Sequence, residues 1–161
     1  MTHDPAAPPA SPPSPELAHV QKHWDAIRPN SPVYGFFFGD IKLVSATKDQ
    51  GRVIAHLPLG PQHINSKKIL HGSVSATLVD WAGGMAIAAT GLERTGVSVD
   101  IHVSYVSAAR EGDTLEIETW VSKVGRSLAY TNVEIRKLGG AGQQDKKTVV
   151  ATGSHTKYLN V

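Results

Sequence analysis

The 161-residue chain contains no cysteine. This absence excludes disulfide bonds, thiolate metal sites and a cysteine nucleophile. An excess of one charge is also lacking, because 16 lysines and arginines stand against 14 acidic residues and leave a formal net charge of +2. There is neither a long basic run nor the interleaving of aromatic and basic residues that binds single strands. We therefore expect no nucleic-acid partner, and the length suits one domain.

The sequence also lacks an apolar run long enough to cross a bilayer, so no membrane span is expected. The strongest candidate, residues 72–92, is interrupted by Asp80, by four glycines and by three Ser/Thr residues near its start. The first fifteen residues, MTHDPAAPPASPPSP, are predicted to form an extended or disordered tail. They contain no arginine, carry Asp4 and have no apolar core, which argues against a transit peptide or secretory signal. We expect residues 16–161 to form a single domain in a cytoplasmic protein.

Asp80 is the only ionisable residue between His71 and Glu93. Length and alanine content predict a helix from Ser73 to Thr90, with apolar residues on nearly every side. Such a helix is typically buried, so Asp80 is expected in the protein interior or at an interface. A carboxylate without a partner usually becomes more basic on burial, which suits a general base at neutral pH. The alternative is an Asp at a solvent-facing rim of the helix.

The remaining pattern predicts a short helix, two strands, the long helix and four further strands. Ser14 is a suitable cap for a first helix that begins at Pro15 and ends near Ile27. The strands are predicted at Phe36–Ser45, Gln50–Leu57, Val97–Tyr105, Thr114–Val124, Ser127–Leu138 and Thr148–Leu159. In Val97–Tyr105 apolar residues alternate with polar ones, which indicates a half-buried strand.

The order of these elements predicts an α+β fold. Short connections favour antiparallel pairing of the last four strands, and one helix cannot cover both faces of a six-stranded sheet. We therefore expect a curved antiparallel sheet wrapped around the long helix. Uncovered edges favour pairing with a second copy, so at least a homodimer is expected. Gly83 and Gly84 allow another backbone to come close, but tight packing on the chain's own sheet explains them equally well.

Four segments together resemble one family. They are NSKKILHGSVSATLVD at residues 65–80, GVSVDIHVSYVSAAREGD at 96–113, KVGRSLAY at 123–130 and ATGSHTKYL at 151–159. These segments resemble the hotdog-fold acyl-CoA thioesterases of the phenylacetate-pathway and thioesterase superfamily member 2 type, over about residues 33–160. The resemblance implies hydrolysis of acyl-CoA by an oligomer of hotdog dimers, commonly a tetramer, with active sites at the dimer interface. It implies no metal and no separate cofactor, since coenzyme A is part of the substrate, and it also fits a mitochondrial location.

The resemblance implies catalytic roles for individual residues. Asp80 matches the carboxylate that activates or orients water, and Gly72 matches the backbone N–H that polarises the thioester carbonyl. The first N–H groups of a helix have no internal partners and lie at the positive end of its dipole, which independently favours an oxyanion. His71 matches a residue that helps to set this loop. Asn65 matches a loop amide that approaches Asp80 of the other subunit, and Ser98 matches a hydroxyl that positions the water.

Two basic segments match the coenzyme end of the substrate by the same resemblance. Lysine and arginine charges and free N–H groups suit phosphates, although a basic turn is also commonly only solvated. The matching residues are Lys123, Gly125, Arg126 and Ser127 in one turn, and His155, Thr156 and Lys157 near the C-terminus.

Ser73 departs from the family pattern, because it stands where the HGG motif has its second glycine. If this position requires a positive φ, the substitution endangers activity. We expect instead that Ser73 lies in the first helical turn, where serine is well tolerated.

Other chemistries find less support in the sequence. His19 and His23 are spaced like metal ligands, but the H-E-x-x-H pattern is missing. No G-x-S-x-G nucleophile elbow occurs. The alternatives that remain are a non-catalytic acyl-CoA binding module and a hydroxyacyl thioester dehydratase of the same fold. Asp80 could act as a general base or as a nucleophile through a mixed anhydride, and the acyl group is undetermined.

Overall fold

The computed structural model describes residues 12–140, 142 and 146–160. Most of the predicted N-terminal tail, residues 1–11, and part of the predicted turn near residue 143 lie outside the described residues. The helices are α1 (Pro15–Ile27), α2 (Pro32–Phe38) and α3 (Gly72–Ala89). The strands are β1 (Lys42–Thr47), β2 (Arg52–Pro58), β3 (Val97–Tyr105), β4 (Thr114–Val124), β5 (Leu128–Leu138) and β6 (Lys147–Tyr158).

The six strands form one antiparallel sheet in the order β1-β2-β4-β5-β6-β3. Helix α3 packs against β2 through β6, which confirms the predicted hotdog fold. The predicted pairing of all of the last four strands is wrong in one place, because β3 pairs with β6 and not with β4. The connection over residues 106–113 is no tight hairpin turn, so the chain can cross from one part of the sheet to another. Strands β1 and β3 are therefore the two edges.

Helix α3 is the centre of the core, as its apolar sequence predicts. Val74, Leu78, Trp81 and Met85 are all buried along the predicted stripe. The opposite side is buried as well at Val79, Gly83 and Ile87, because the sheet curves around the helix. Deep burial on both sides means that a charged side chain on α3 must lie where the sheet leaves a gap.

Helix α1 covers one side of α3. Its N-cap Ser14 accepts a hydrogen bond from the Leu17 N–H at 3.1 Å, which confirms the predicted start of the helix. Val20 and Trp24 are buried, and the Trp24 ring contacts the Trp81 ring edge-on at 5.7 Å between centroids. The N-terminal helix is thus part of the domain core.

The predicted strand Phe36–Ser45 is wrong over its first half, where the structure has helix α2. Ser31 caps this helix by accepting from the Tyr34 N–H, and Pro32 occupies its first position, where a missing N–H costs nothing. The aromatic run favours a strand by propensity, but in the helix that forms Phe38 is completely buried and its ring contacts that of Trp81. The strand itself begins later, at Lys42.

The two central glycines of α3 have different environments. A Cβ on Gly83 would lie 2.6 Å from His155 Nδ1 and 2.9 Å from Thr131 Oγ1, whereas one on Gly84 would find its nearest neighbour in Thr95 at 3.8 Å. Gly83 is therefore explained by close packing of α3 on β5 and β6 of its own sheet.

The prediction that β3 is half-buried does not hold for the single chain. Val97, Val99 and Ile101 are 51%, 58% and 40% exposed, and only Val103 packs against the core. The reason is the position of β3 at the sheet edge, where one side has no neighbouring strand among the described residues. The strand thus presents an apolar edge to the exterior.

Candidate active site

Asp80 lies at the middle of α3, with its side chain 31% exposed. It faces a cavity of about 480 Å³ between α2, α3 and β3. The lining residues are Ser31, Val33, Tyr34, Ala76, Thr77, Asp80 and Ile101. The Asp80 carboxylate is therefore neither fully buried nor fully exposed: it forms part of the wall of a mainly apolar cavity.

Both carboxylate oxygens of Asp80 accept hydrogen bonds. The Tyr34 hydroxyl donates to Oδ2 at 2.7 Å, and the Ser98 hydroxyl donates to Oδ1 at 3.2 Å. Since Tyr34 lies on α2 and Ser98 on β3, two separate elements fix the carboxylate from opposite sides. An ionised carboxylate in this setting is held in one orientation and remains accessible from the cavity.

Ser98 reaches Asp80 because β3 contains a bulge. The register of β3 with β6 shifts between Ser98 and Asp100, so Val99 is the additional residue. Ile101 and Val103 face α3, so in a strand with regular alternation residue 98 would face away from this helix. The bulge reverses this and turns the Ser98 hydroxyl toward Asp80, so the alternation in the sequence could not reveal which face it occupies.

His155 lies behind Ser98, with its Nε2 3.0 Å from the Ser98 hydroxyl and 3.7 Å from Asp80 Oδ1. A hydroxyl has a single proton, and an ionised carboxylate can only accept. When Ser98 donates to Asp80, His155 Nε2–H must therefore donate to Ser98. Burial lowers the pKa of His155, and the positive charge of Lys157 lowers it further, which favours the neutral imidazole.

Lys157 is also buried on the helix side of β6, two residues beyond His155. Burial lowers its pKa, while the negative charge of Asp80 acts in the opposite direction. The burial of His155 and Lys157 does not match the coenzyme contacts predicted for them. The alternation of β6 explains the difference, because it turns both side chains toward α3 and leaves Thr156 on the other face.

The start of α3 is built around His71. Its side chain is the N-cap, since His71 Nδ1 accepts from the Ser73 N–H at 3.1 Å and lies 2.8 Å from the Ser73 hydroxyl. Ser73 is the second residue of the helix and has no positive φ, so the position tolerates serine as expected. Gly72 is the first helical residue, and no described residue accepts a hydrogen bond from its N–H.

Gly72 lines a second cavity of about 240 Å³ together with Asn65 and Tyr105. The Tyr105 hydroxyl donates to the Gly72 carbonyl at 3.0 Å. Asn65 Oδ1 accepts from the Lys67 and Ile69 N–H groups at 2.8 and 3.3 Å and thereby holds its own loop. The amide nitrogen of Asn65 has no acceptor among the described residues, so it can donate to a ligand.

The two cavities separate the predicted catalytic residues into two groups. Gly72 and Asp80 are eight residues apart on one helix, which corresponds to about 12 Å of helix rise. A carbonyl held about 3 Å from the Gly72 N–H is therefore more than one helical turn from Asp80 of the same chain. The structure brings together Asp80 with Ser98, and Gly72 with Asn65, but it does not join the two pairs within one chain.

The predicted coenzyme turn connects β4 and β5 at the surface. Lys123 and Arg126 are exposed. The Gly125 N–H donates to the Leu128 carbonyl, and the Ser127 carbonyl accepts from the Leu159 N–H, which ties the turn to the end of β6. Residues Lys123, Tyr130 and Thr156 lie side by side across three strands, so Lys123 and Thr156 share the outer face of the sheet.

Sequence reasoning missed two features of the Asp80 site. No sequence pattern indicated Tyr34 as a site residue, because its hydrogen bond to Asp80 depends on the packing of α2 against α3. His155 was found as a residue of interest but placed at the coenzyme, since its position behind Ser98 depends on the register between β3 and β6. The alternation of residues 155–157 was the available signal for its inward orientation.

The described residues hold no group of three or more His, Cys, Asp or Glu side chains arranged to bind a metal ion. Nor does any helix in this part of the chain have the length and apolar character that a membrane crossing requires. The polar groups at the two cavities are Asp80 with Ser98, His155 and Tyr34 around it, and the start of α3 with Asn65 and Tyr105.

Comparison with known proteins gives a consistent result. Residues 67–143 match the family model of the thioesterase superfamily. Human acyl-coenzyme A thioesterase 13 is 38% identical over 122 residues, covering 75% of this chain and 81% of that protein. The crystal structure of zebra fish thioesterase superfamily member 2 has a TM-score of 0.75 at 33% identity, covering 89% of this chain and 98% of that one. The Escherichia coli PaaI protein shares the fold, with a TM-score of 0.70 at 20% identity over 90% of this chain and 96% of its own. The chain belongs to the thioesterase superfamily.

Proposed function

We propose that this protein hydrolyses acyl-CoA thioesters to the free acid and coenzyme A. The observation that carries the proposal is the Asp80 carboxylate, held by Ser98 in the wall of an apolar cavity. A relative that is 38% identical is named an acyl-coenzyme A thioesterase, which supports the same substrate class here. Coenzyme A enters as part of the substrate, and the reaction requires no separate cofactor.

In the proposed reaction, Asp80 accepts a proton from a water molecule that Ser98 helps to orient. The water oxygen attacks the thioester carbonyl, and the negative charge that develops on the carbonyl oxygen is stabilised by the Gly72 N–H. This N–H lies at the positive end of α3, where its dipole adds to the stabilisation. The C–S bond then breaks, the acid is released, and the proton held by Asp80 neutralises the thiolate.

The active site is proposed to be shared between two copies of the chain. The Gly72 N–H and the Asp80 carboxylate of one chain are too far apart to act on one thioester. A second copy that supplies Gly72 and Asn65 beside Asp80 and Ser98 of the first would complete the site. Two equivalent sites then form in each dimer.

Strand β3 offers the contact that such a dimer needs. It is an edge strand with exposed apolar side chains at Val97, Val99 and Ile101. Antiparallel pairing of β3 with its own copy, centred on Ile101, places residue 98 opposite residue 104 of the second copy. Tyr105 and the Gly72 bonded to it then approach Ser98 and Asp80 across the interface.

For the coenzyme, the exposed turn with Lys123 and Arg126 is the proposed phosphate contact, together with Gly125, Ser127 and Thr156 on the same part of the sheet. His155 and Lys157 are left out of this role because they are buried beside Asp80. His155 is instead proposed to orient Ser98.

The test is release of free thiol from a panel of acyl-CoA substrates by the wild-type protein and by Asp80→Asn. Loss of a general base predicts a decrease in kcat of about 10²–10⁴-fold. Full activity in Asp80→Asn would contradict the mechanism. Wild-type protein that binds acyl-CoA without hydrolysis would favour the binding module, and hydration or dehydration of hydroxyacyl substrates without thiol release would favour the dehydratase.

The general-base and covalent routes are separated by a single turnover in water enriched with heavy oxygen. If water attacks the thioester directly, the label appears in the acid product and not in the protein. Heavy oxygen in the Asp80 side chain after one turnover indicates a mixed anhydride.

A further inference from the structure

Asp80 has a hydrogen-bond donor that lies outside the residues matched by the family model. This donor is the hydroxyl of Tyr34, 2.7 Å from Asp80 Oδ2, whereas the family model begins at residue 67. The other oxygen, Oδ1, faces Ser98. Tyr34 thus binds Oδ2 of the carboxylate, and Oδ1, on the Ser98 side, is the oxygen proposed to act on water.

The Tyr34 side chain is held firmly in place. Its ring stacks on Phe38, with 5.9 Å between centroids and 26° between planes, and contacts Trp24 at 6.2 Å. Its backbone N–H is bonded to the Ser31 hydroxyl at the start of α2. A donor fixed in this way loses little entropy when it binds the carboxylate.

Helix α2 is itself anchored to the core at its other end. His63 Nδ1 accepts from the Gly60 N–H at 2.9 Å, so the proton of the neutral ring is on Nε2 and is donated to the Phe37 carbonyl at 2.6 Å. His63 and Phe38 are completely buried. The position of the Tyr34 hydroxyl is therefore determined by the folded core and not by a loose terminus.

The phenol is a donor over the whole working range of pH. Burial raises the pKa of Tyr34, and the hydrogen bond to the negative Asp80 raises it further. The Tyr34 proton therefore stays on the phenol and is not transferred in the reaction. Its effect on Asp80 is a constant hydrogen bond to the ionised form.

We infer that Tyr34 is a positioning residue for Asp80: it fixes the carboxylate with Oδ1 toward Ser98. This inference rests on the proposed function, because Tyr34 acts on the reaction only through Asp80. It assigns to the N-terminal segment a direct part in the active site.

The charged and titratable groups around Asp80 are few among the described residues. Tyr34 faces it from α2, while His155 and Lys157 face it from β6, and the neutral Ser98 faces it from β3. Replacement of Tyr34 by phenylalanine leaves the other three groups in place. A change in kcat can therefore be attributed to the loss of the phenol hydroxyl.

The direct test is Tyr34→Phe, which keeps the ring and removes only the hydroxyl. We expect kcat to fall about tenfold or more, since a hydrogen bond to a charged group is lost, with a much smaller change in KM. Thr47→Val is the control for loss of a hydroxyl, since Thr47 is exposed on β1, at the opposite edge of the sheet from β3, and it should leave kcat unchanged.

A double-mutant cycle separates positioning from general support of the fold. In the Asp80→Asn background, Tyr34→Phe should cause little further loss of the residual kcat, because its target is already gone. A purely structural role predicts the same loss in both backgrounds, and that result overturns the inference.

Failure of this inference can be distinguished from failure of the proposed function. If wild-type protein releases no thiol from any acyl-CoA, the proposed function fails and the role of Tyr34 fails with it. If wild-type protein is active and Tyr34→Phe retains full kcat, only the role of Tyr34 is overturned.

Discussion

Gly72 and Asp80 lie on the same helix but face two different cavities, one with Asn65 and Tyr105 and the other with Tyr34 and Ile101. The distance of about 12 Å along the helix prevents both from acting on one substrate within one chain. Helix α3 is buried on nearly every side, but the Gly72 backbone and the Asp80 carboxylate are each accessible from a different cavity. This arrangement explains why the proposed enzyme requires a second copy.

The role of the Gly72 N–H can be tested by Gly72→Pro. Gly72 is the first residue of α3, and His71 before it has an extended conformation, with φ −70° and ψ 133°. Proline is favoured at this helical position and compatible with such a preceding residue, so the variant should fold. Loss of the N–H removes the oxyanion donor, and kcat should fall about 10²–10³-fold.

Gly72→Ala is the matched control, because alanine keeps the N–H. Its Cβ would lie 3.4 Å from the Tyr105 ring, which is exposed and can adjust. We expect this variant to retain most of its activity. Equal activity of the proline and alanine variants, measured as thiol release by correctly folded protein, would rule out the proposed donor.

The burial of His155 predicts a pH-dependent stability. Its pKa is lowered in the folded state by burial and by Lys157, so below about pH 6.5 the unfolded chain binds more protons. Stability should therefore decrease as the pH falls through about 6.5 toward the folded-state pKa. Urea unfolding at about pH 7.5 and about pH 5.5 measures this decrease, which should be smaller in His155→Gln than in wild type.

His102→Gln provides the control for this measurement, because His102 is exposed on β3. Its decrease in stability between the two pH values should equal that of the wild type. If His155→Gln shows the wild-type decrease as well, the neutral buried state assigned to His155 is wrong.

Gly83 and Gly84 form a pair for a test of packing. Gly83→Ala places a Cβ 2.6 Å from His155 and 2.9 Å from Thr131, both buried, and should destabilise the fold by about 1–3 kcal/mol. Gly84→Ala has no neighbour closer than 3.8 Å and should stabilise the helix by up to about 1 kcal/mol. Urea unfolding gives both values. A destabilised Gly84→Ala would instead indicate that a second backbone packs against this face.

The elements that sequence reasoning predicted well are those with a strong local signal. The signal for α3 is its apolar composition, and the signal for β4, β5 and β6 is alternation or a high content of β-forming residues. All four elements begin and end within one or two residues of the predicted bounds. Helix α2 was missed because its aromatic residues favour a strand, while the cap at Ser31 and burial against Trp81 decide for a helix. The burial of β3 was overestimated, because alternation does not show whether a strand lies at an edge.

From the residues alone, the site was predictable only where they lie close together in the sequence, whereas Asn65 and Ser98 were predicted from the family resemblance. The helix start at His71 and Gly72 and the single carboxylate at Asp80 can be read from one segment. The contacts of Tyr34 and Ser98 with Asp80, and of His155 with Ser98, depend on helix packing, on a bulge and on strand register, none of which has a local signature. His155 was assigned to the coenzyme from its place in a basic segment near the C-terminus. In the structure, the alternation of β6 turns its side chain toward α3.

The shared active site is tested most directly by mixing two inactive variants, Asp80→Asn and Gly72→Pro, under conditions in which subunits exchange. In a mixed dimer, one site combines the intact Asp80 of one chain with the intact Gly72 of the other. Random exchange of equal amounts makes about half of the dimers mixed, with one of two sites intact, so thiol release should recover to about a quarter of the wild-type rate. A mixture no more active than the two separate variants, although mixed dimers are present, would contradict a site shared between two chains.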